Sequence, residues 1–323
     1  MKLHQLQAVV AVAEQGSLRA AARSLDMAQP TLTRSLSELE RELGAPLFER
    51  RSRGMVATAL GRTFVGRAVA ILNDVRRARE EFEQLRGSTG GTLTIGLSIV
   101  AHFSLLPKAL QPFRQRFPKI HLHIIEGFYP TLEQGLQDGS VDFAIGPDPG
   151  QRLPTILRKE TLLKSRRAVI CRNRHPLLHA KSLSELVDAE WISTSITPKA
   201  ENEIGDLFKR HGLPEPRLAL RSQSALTLLT CLTNSDLLAM VPTQWLESAL
   251  ANRILTTIDV AEELVAPPLV AVTRTDVPLI PAAEVLLSLF KRAAGNLTPA
   301  LESPKHGFGD KSNRNKSSFL ARR

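Results

Sequence analysis

The stretch AQPTLTRSLSELERELGAPLFERRSRGMVATALG, residues 28–61, decides how the N-terminal part of this chain folds. Leu32, Leu36, Leu39 and Leu43 recur at helical spacing, Gly44 supplies a stop, and Pro30 suits a first turn, where its missing N–H costs nothing. The opposite face carries Thr31, Thr33, Arg34, Ser35, Glu38 and Arg41. Upstream, Leu3, Leu6, Val10 and Ala13 share one face of a helix that Gly16 ends. Ser17 is placed to cap a second helix through Leu18, Ala21, Ala22 and Leu25. Three short helices with a tight turn around 26–28 make a helix-turn-helix. Leu47-Phe48 is apolar enough to pack beneath it, and Arg50-Arg51-Ser52-Arg53-Gly54 before Met55-Val56 reads as the turn of a small β-wing.

Thr58 then caps a long helix running to about residue 86. Phe64, Ala68, Ile71, Val75, Ala78, Phe82 and Leu85 follow alternating steps of four and three, a heptad seam, while Arg62, Arg67, Arg76, Arg77 and Arg79 lie off it. A second copy of the chain is the simplest partner for that stripe, so the helix reads as a dimerisation linker. Gly87-Ser88-Thr89-Gly90-Gly91 is a hinge by composition. Beyond it, strands are expected at 92–97, 120–125, 141–146, 167–172, 217–221, 237–241 and 269–273, with Trp191-Ile192 in another. Helices are expected near 103–117, 131–138, 200–211, 224–233, 243–251 and 281–294. The alternation predicts α/β architecture with a mainly parallel sheet, as one large domain or two small lobes. From Asn296 periodicity stops, and 296–323 reads as a disordered basic tail.

Bulk properties narrow the classes. A chain of 323 residues is long enough for about two or three domains. The formal charge of +10 is uneven: residues 1–90 hold 14 Lys/Arg against 10 Asp/Glu, and 296–323 hold 6 against 2, leaving the long middle near neutral. An anionic partner is implied, nucleic acid first. Two cysteines, Cys171 and Cys231, lie far apart in apolar runs, so they are expected to be inert core positions in a reducing compartment. No signal-peptide pattern and no run of about 18 apolar residues occurs, which predicts a cytoplasmic protein with no membrane span. His121 and His123 share a strand face without a third ligand, so no metal site is expected. Nucleophile elbow, Walker loop, GxGxxG and HExxH are all missing, so no reaction and no cofactor is assigned.

Residues 28–61 resemble the signature of LysR-type transcriptional regulators: Gln29, Pro30, Leu32, Leu39-Glu40, Leu43-Gly44, Leu47-Phe48, Arg50, Thr58 and Gly61 all match. Residues 16–30 match too, and Leu105-Leu106-Pro107, Asp138-Gly139, Val141-Asp142-Phe143-Ala144-Ile145-Gly146 and His175-Pro176-Leu177 extend the resemblance to about 295. It implies a winged helix-turn-helix over 1–58, a linker helix over 59–87 and a periplasmic-binding-protein-like effector domain over 88–295. That domain would have two α/β lobes, I (about 91–165 and 268–295) and II (about 166–267), with a small molecule in the cleft. It also implies homodimers paired into tetramers on a bent, partly palindromic double-stranded DNA operator, with RNA polymerase a further partner. The sequence departs from the pattern at Ala28 and Thr33, where the family usually has serine. Gly127-Phe128-Tyr129-Pro130 and Gly212-Leu213-Pro214-Glu215-Pro216 resemble the branch that responds to aromatic sulfonates and sugars.

Site residues follow from the recognition helix entering the major groove. Gln29 can pair bidentately with adenine, Arg34 with guanine or phosphate, and Thr31 and Thr33 can meet a thymine methyl or phosphate, beside the apolar Pro30. Ser17 opens a helix whose free amides can hold a phosphate, and Arg51 and Arg53 of the wing face backbone or minor groove. For any one arginine, a solvated surface position is the competing reading. For the effector, Ser98 leads, where strand passes into helix ahead of His102; Thr194, Ser195, Ser222 and Ser224 face it from the second lobe, and Tyr129 and Asp148 follow the next strands of the first. An ordinary loop hydroxyl or cap is the alternative for each. The expected ligand is small and anionic or polyhydroxylated, an aromatic sulfonate or carboxylate before a sugar, with an aromatic portion packed near Phe128 or Tyr129.

Overall fold

A computed structural model describes residues 1–52, 54–127, 129–193, 202–222 and 224–297. Helices α1 (Leu3–Gln15), α2 (Leu18–Ser24) and α3 (Gln29–Leu43) enclose a core of Val9, Val12, Leu32, Leu36, Leu39 and Leu47. The stops read from sequence are real: Gly16 and Gly44 close α1 and α3 in the left-handed region, at φ 61° and 72°. Strands β1 (Phe48–Arg51) and β2 (Gly54–Ala57) form the antiparallel wing, with Arg51 opposite Gly54 at its tip. The 27-residue helix α4 (Ala59–Leu85) follows, with α1 packed along it.

A five-stranded sheet has the order β4 (Lys119–Glu126), β3 (Gly90–Leu97), β5 (Phe143–Pro147), β12 (Leu269–Arg274), β6 (Leu157–Leu163). Helices α6 (Leu106–Arg116) and α11 (Pro281–Gly295) cover one of its faces, while α7 (Glu133–Asp138) joins the cluster on the other. The second layer holds the antiparallel sheet β10 (Ala239–Pro242), β7 (Arg167–Arg172), β11 (Leu255–Ile258) and the parallel pair β8 (Glu190–Ser193) and β9 (Arg217–Arg221), with α8 (Glu203–Arg210) and α9 (Ala225–Asn234). The chain passes between layers twice, from β6 to β7 and from β11 to β12.

Those crossings correct the expectation of a mainly parallel sheet. β3 runs parallel to β4 and β5, but β12 is antiparallel to both neighbours and β7 to both of its own. Each is entered from the other layer without the crossover helix that a parallel connection needs. The helix expected over 103–117 is two, α5 (Ile99–Ser104) and α6, broken at Leu105 because Pro107 has to sit in a first turn. The segment 243–251 divides likewise into a 3-10 turn, Thr243–Glu247, and α10 (Ala249–Ile254). The tail expected over 296–323 starts too early: Asn296 caps α11 and Leu297 packs into the core, while 298–323 lies outside the described residues.

The apolar core does not stop at the boundary between layers. Leu93, Ile95, Phe143 and Phe290 of the first connect through Val100 and Ala101 to Ile192, Leu228, Val241 and Trp245 of the second. Phe103 of α5 meets Trp245 across the junction, ring centroids 5.1 Å apart.

Candidate functional site

The candidate recognition surface is the solvent side of α3. Ala28 is its N-cap and contributes no side-chain hydrogen bond, the consequence of lacking the usual hydroxyl. Gln29, Pro30, Thr31, Thr33 and Arg34 are all exposed. Thr33 donates its hydroxyl to the Gln29 carbonyl (3.0 Å), and Arg34 Nε donates to Glu38 Oε1 (2.9 Å). That pairing holds the Glu38 carboxyl below its ordinary range and leaves the far end of a side chain that is 83% exposed. Ser17 accepts from Ala20 N at the start of α2. On the wing, Arg51 pairs with Glu49 in the open (3.0 Å); Arg53 lies outside the described residues.

At the carboxyl end of β3, Ser98 caps α5 and donates its amide to the Ile145 carbonyl (2.8 Å). Its hydroxyl is buried and has no hydrogen-bond partner among the described residues. His102 Nδ1 stands 3.1 Å from the Ser98 carbonyl. Asp148, after β5, is occupied by Lys159 (2.6 Å) and the Gly150 amide (2.9 Å). Burial raises the Asp148 pKa, but these partners outweigh it and hold the group ionised below its usual value. Ser222 and Ser224 spend their hydroxyls on the turn into α9, accepting from Ser224 N and Thr227 N. Thr194, Ser195 and Phe128 lie outside the described residues.

Tyr129 is a correction. Its ring packs with Leu132, Leu136, Leu157 and Val272, on the sheet face opposite the core shared by the two layers. Burial, then a hydrogen bond with Glu133, pushes its hydroxyl pKa up to about 12. The ring is core packing, not cleft lining.

The linker has two sides. Phe64 packs on the N-terminal core and Ala68 is buried, but Ile71, Ala78, Phe82 and Leu85 are exposed. Beside them a groove of about 390 Å³ runs between α1 and α4, lined by Leu3, Gln7, Leu72 and Val75. On the other side, α4 docks onto the five-stranded layer through residues that periodicity assigns to the surface. Arg77, only 3% exposed, pairs with the equally buried Asp142 (3.1 Å) and donates to the Gly139 and Val141 carbonyls. Asp142 Oδ2 accepts from Thr94 N of β3 (2.8 Å). Asn73 donates to the Asp138 carbonyl, Arg274 bridges Asp74 and Asp276, and Gln84 accepts from the Ala282 amide. The glycine-rich stretch read as a hinge is thus spanned by contacts from the helix before it.

Among the described residues no helix is long and apolar enough to cross a membrane. The family described as bacterial regulatory helix-turn-helix protein, lysR family, matches residues 3–62, and the LysR substrate binding domain matches 86–295. The HTH-type transcriptional regulator GbpR of Azospirillum brasilense is 26% identical over 309 residues, 94% of this chain and 90% of that protein. GalR of Pseudomonas putida is 26% identical over 289 residues, 89% of this chain and 73% of its own. In three dimensions, full-length CbnR, solved in complex with its target DNA, superposes with a TM-score of 0.65 at 22% identity, covering 91% of this chain and all of that one, a likeness of fold. The helix-turn-helix, the wing and the two-layered sensor together place this chain in the LysR family of DNA-binding transcriptional regulators.

Proposed function

We propose that this regulator acts in the cytoplasm as a dimer, or a pair of dimers, that reads a partly palindromic operator and answers to a small anionic or polar effector bound beside Ser98. Base contacts come from Gln29 and Arg34, with Pro30, Thr31 and Thr33 against methyl groups or phosphate and Arg51 on the backbone. Ser17 and the first turn of α2 hold a phosphate. RNA polymerase is the onward partner. The second copy covers Ile71, Ala78, Phe82 and Leu85.

The observation that carries the effector reading is the Ser98 hydroxyl, buried and without a partner. A buried donor left unpaired costs about 1–3 kcal/mol, which a ligand oxygen placed there would recover. Thermal shift of the full chain against aromatic sulfonates, aromatic carboxylates and sugars identifies the class, because a bound effector stabilises by mass action. Ser98→Trp should lose that shift and the reporter response while keeping operator binding in a gel-shift titration. A Ser98→Trp protein that still responds normally places the ligand elsewhere.

A further inference from the structure

We propose that Glu40 is a positioning residue for the wing, and that Arg51 reaches DNA because this carboxylate fixes the root of β1 against α3. Glu40 lies in the last turn of α3, and its Oε1 accepts from Leu47 N (2.7 Å) and Phe48 N (3.2 Å), the amides that lead the chain into β1. Its own carbonyl accepts from Gly44 N and Ala45 N, so one residue gathers four donors and folds the chain back under the recognition helix. Leu47 and Phe48 are buried, and their amides need a partner there.

Further hydrogen bonds hold the base and the tip of the wing. Thr58 donates N–H to the Leu47 carbonyl and Oγ1 to the Pro46 carbonyl, and a Cβ on Gly61 would stand 1.9 Å from the Leu47 oxygen. At the tip, Met55 N donates to the Gly16 carbonyl (2.8 Å), and a Cβ on Gly54 would meet that oxygen at 2.4 Å. From the recognition helix, Glu40 reaches the root of the wing with side-chain hydrogen bonds, beside the apolar packing of Phe48 and Met55 in the core shared with Leu36 and Leu39. From Phe48 to Arg51 the strand advances about 10 Å, so a tilt of about 20° at its root that also breaks the Met55–Gly16 bond carries Arg51 roughly 3 Å, further than a phosphate contact tolerates.

This inference rests on the reading that Arg51 meets phosphate, and the sign of the effect separates it from plain electrostatics. Removing a carboxylate near DNA should strengthen binding, whereas loss of a positioning contact weakens it. Binding of the full chain to a random-sequence duplex is followed by fluorescence anisotropy across a salt series. Glu40→Asp keeps the charge but retracts it by one methylene; it should flatten the dependence of log K on log salt by about 0.9 per wing, as Arg51→Ala does. Glu40→Gln keeps an acceptor oxygen at full length and should retain the wild-type slope. In Glu40→Asp, adding Arg51→Ala should change nothing more. If Arg51→Ala alone leaves the slope unchanged, the wing reading fails. If it flattens the slope and Glu40→Asp does not, the role given to Glu40 is wrong.

Discussion

Arg77→Met tests whether α4 and the five-stranded layer form one body. Met keeps most of the aliphatic stem and removes the charge, stranding Asp142 at 2% exposure with only the Thr94 amide. Breaking a buried pair from one side costs about 3–5 kcal/mol, since the remaining charge is neither hydrated nor paired. Burial lowers the Arg77 pKa and raises that of Asp142, against the attraction each offers the other, so desolvation outweighs the mutual Coulomb gain. It follows that Asp142→Asn should partly rescue Arg77→Met. Independent effects would put the double variant at about 6–10 kcal/mol, whereas a buried pair puts it at or below the cost of Arg77→Met alone. Urea unfolding followed by tryptophan fluorescence suits the measurement, because both tryptophans, Trp191 and Trp245, are buried in the sensor. A cost below about 1 kcal/mol for Arg77→Met, or additivity in the double variant, refutes the docked helix.

Three further outcomes are expected. Arg274 holds the Asp276 carboxyl below its usual range, so this contact stabilises the fold above pH of about 3.9 and fades as pH falls through the lower native value. Asp276→Asn should remove that component from the acid limb of a urea-midpoint titration, and superimposable limbs would show that the pair contributes nothing. Tyr129 is the single tyrosine, so absorbance at 295 nm reads it alone; half-ionisation should come near pH 12, and a midpoint near 10 would put the ring in solvent. Ile71→Asp places a charge on the exposed stripe and should dissociate the dimer and lower operator affinity together; a variant that still sediments as a dimer rules α4 out as the contact.

The N-terminal end was legible because its determinants are local. Gly16, Ser17, Pro30 and Gly44 stand where the backbone needs a stop, a cap or a first turn, and each acts within a few residues of itself. The sensor strands with compact apolar runs, β7 and β9, were legible to the residue. β6 was not: LRKETLL buries only its ends and has no alternation to read. Tyr129 looked like a cleft residue because it follows a strand, yet which sheet face receives it depends on packing against Leu157 and Val272, remote in the sequence. Arg77 was invisible for the same reason. Periodicity marks it as off the apolar seam, and nothing local announces a carboxylate 65 positions later. Glu40 was seen as part of a pattern, but its task depends on amides that only the folded turn brings to it.

The docking of α4 fixes the mechanical scale on which any signal must work. Between Arg77, bonded into the sensor, and the Thr58 cap, bonded into the wing, nineteen residues of continuous helix span about 28 Å. A rotation of the sensor by about 7° around Arg77 would swing the far end by roughly 3.4 Å, one base-pair step along DNA. A displacement of that size slides a recognition helix from one base edge to the next. A rod docked in this way would convert a small angular change in the sensor into a change of reading register.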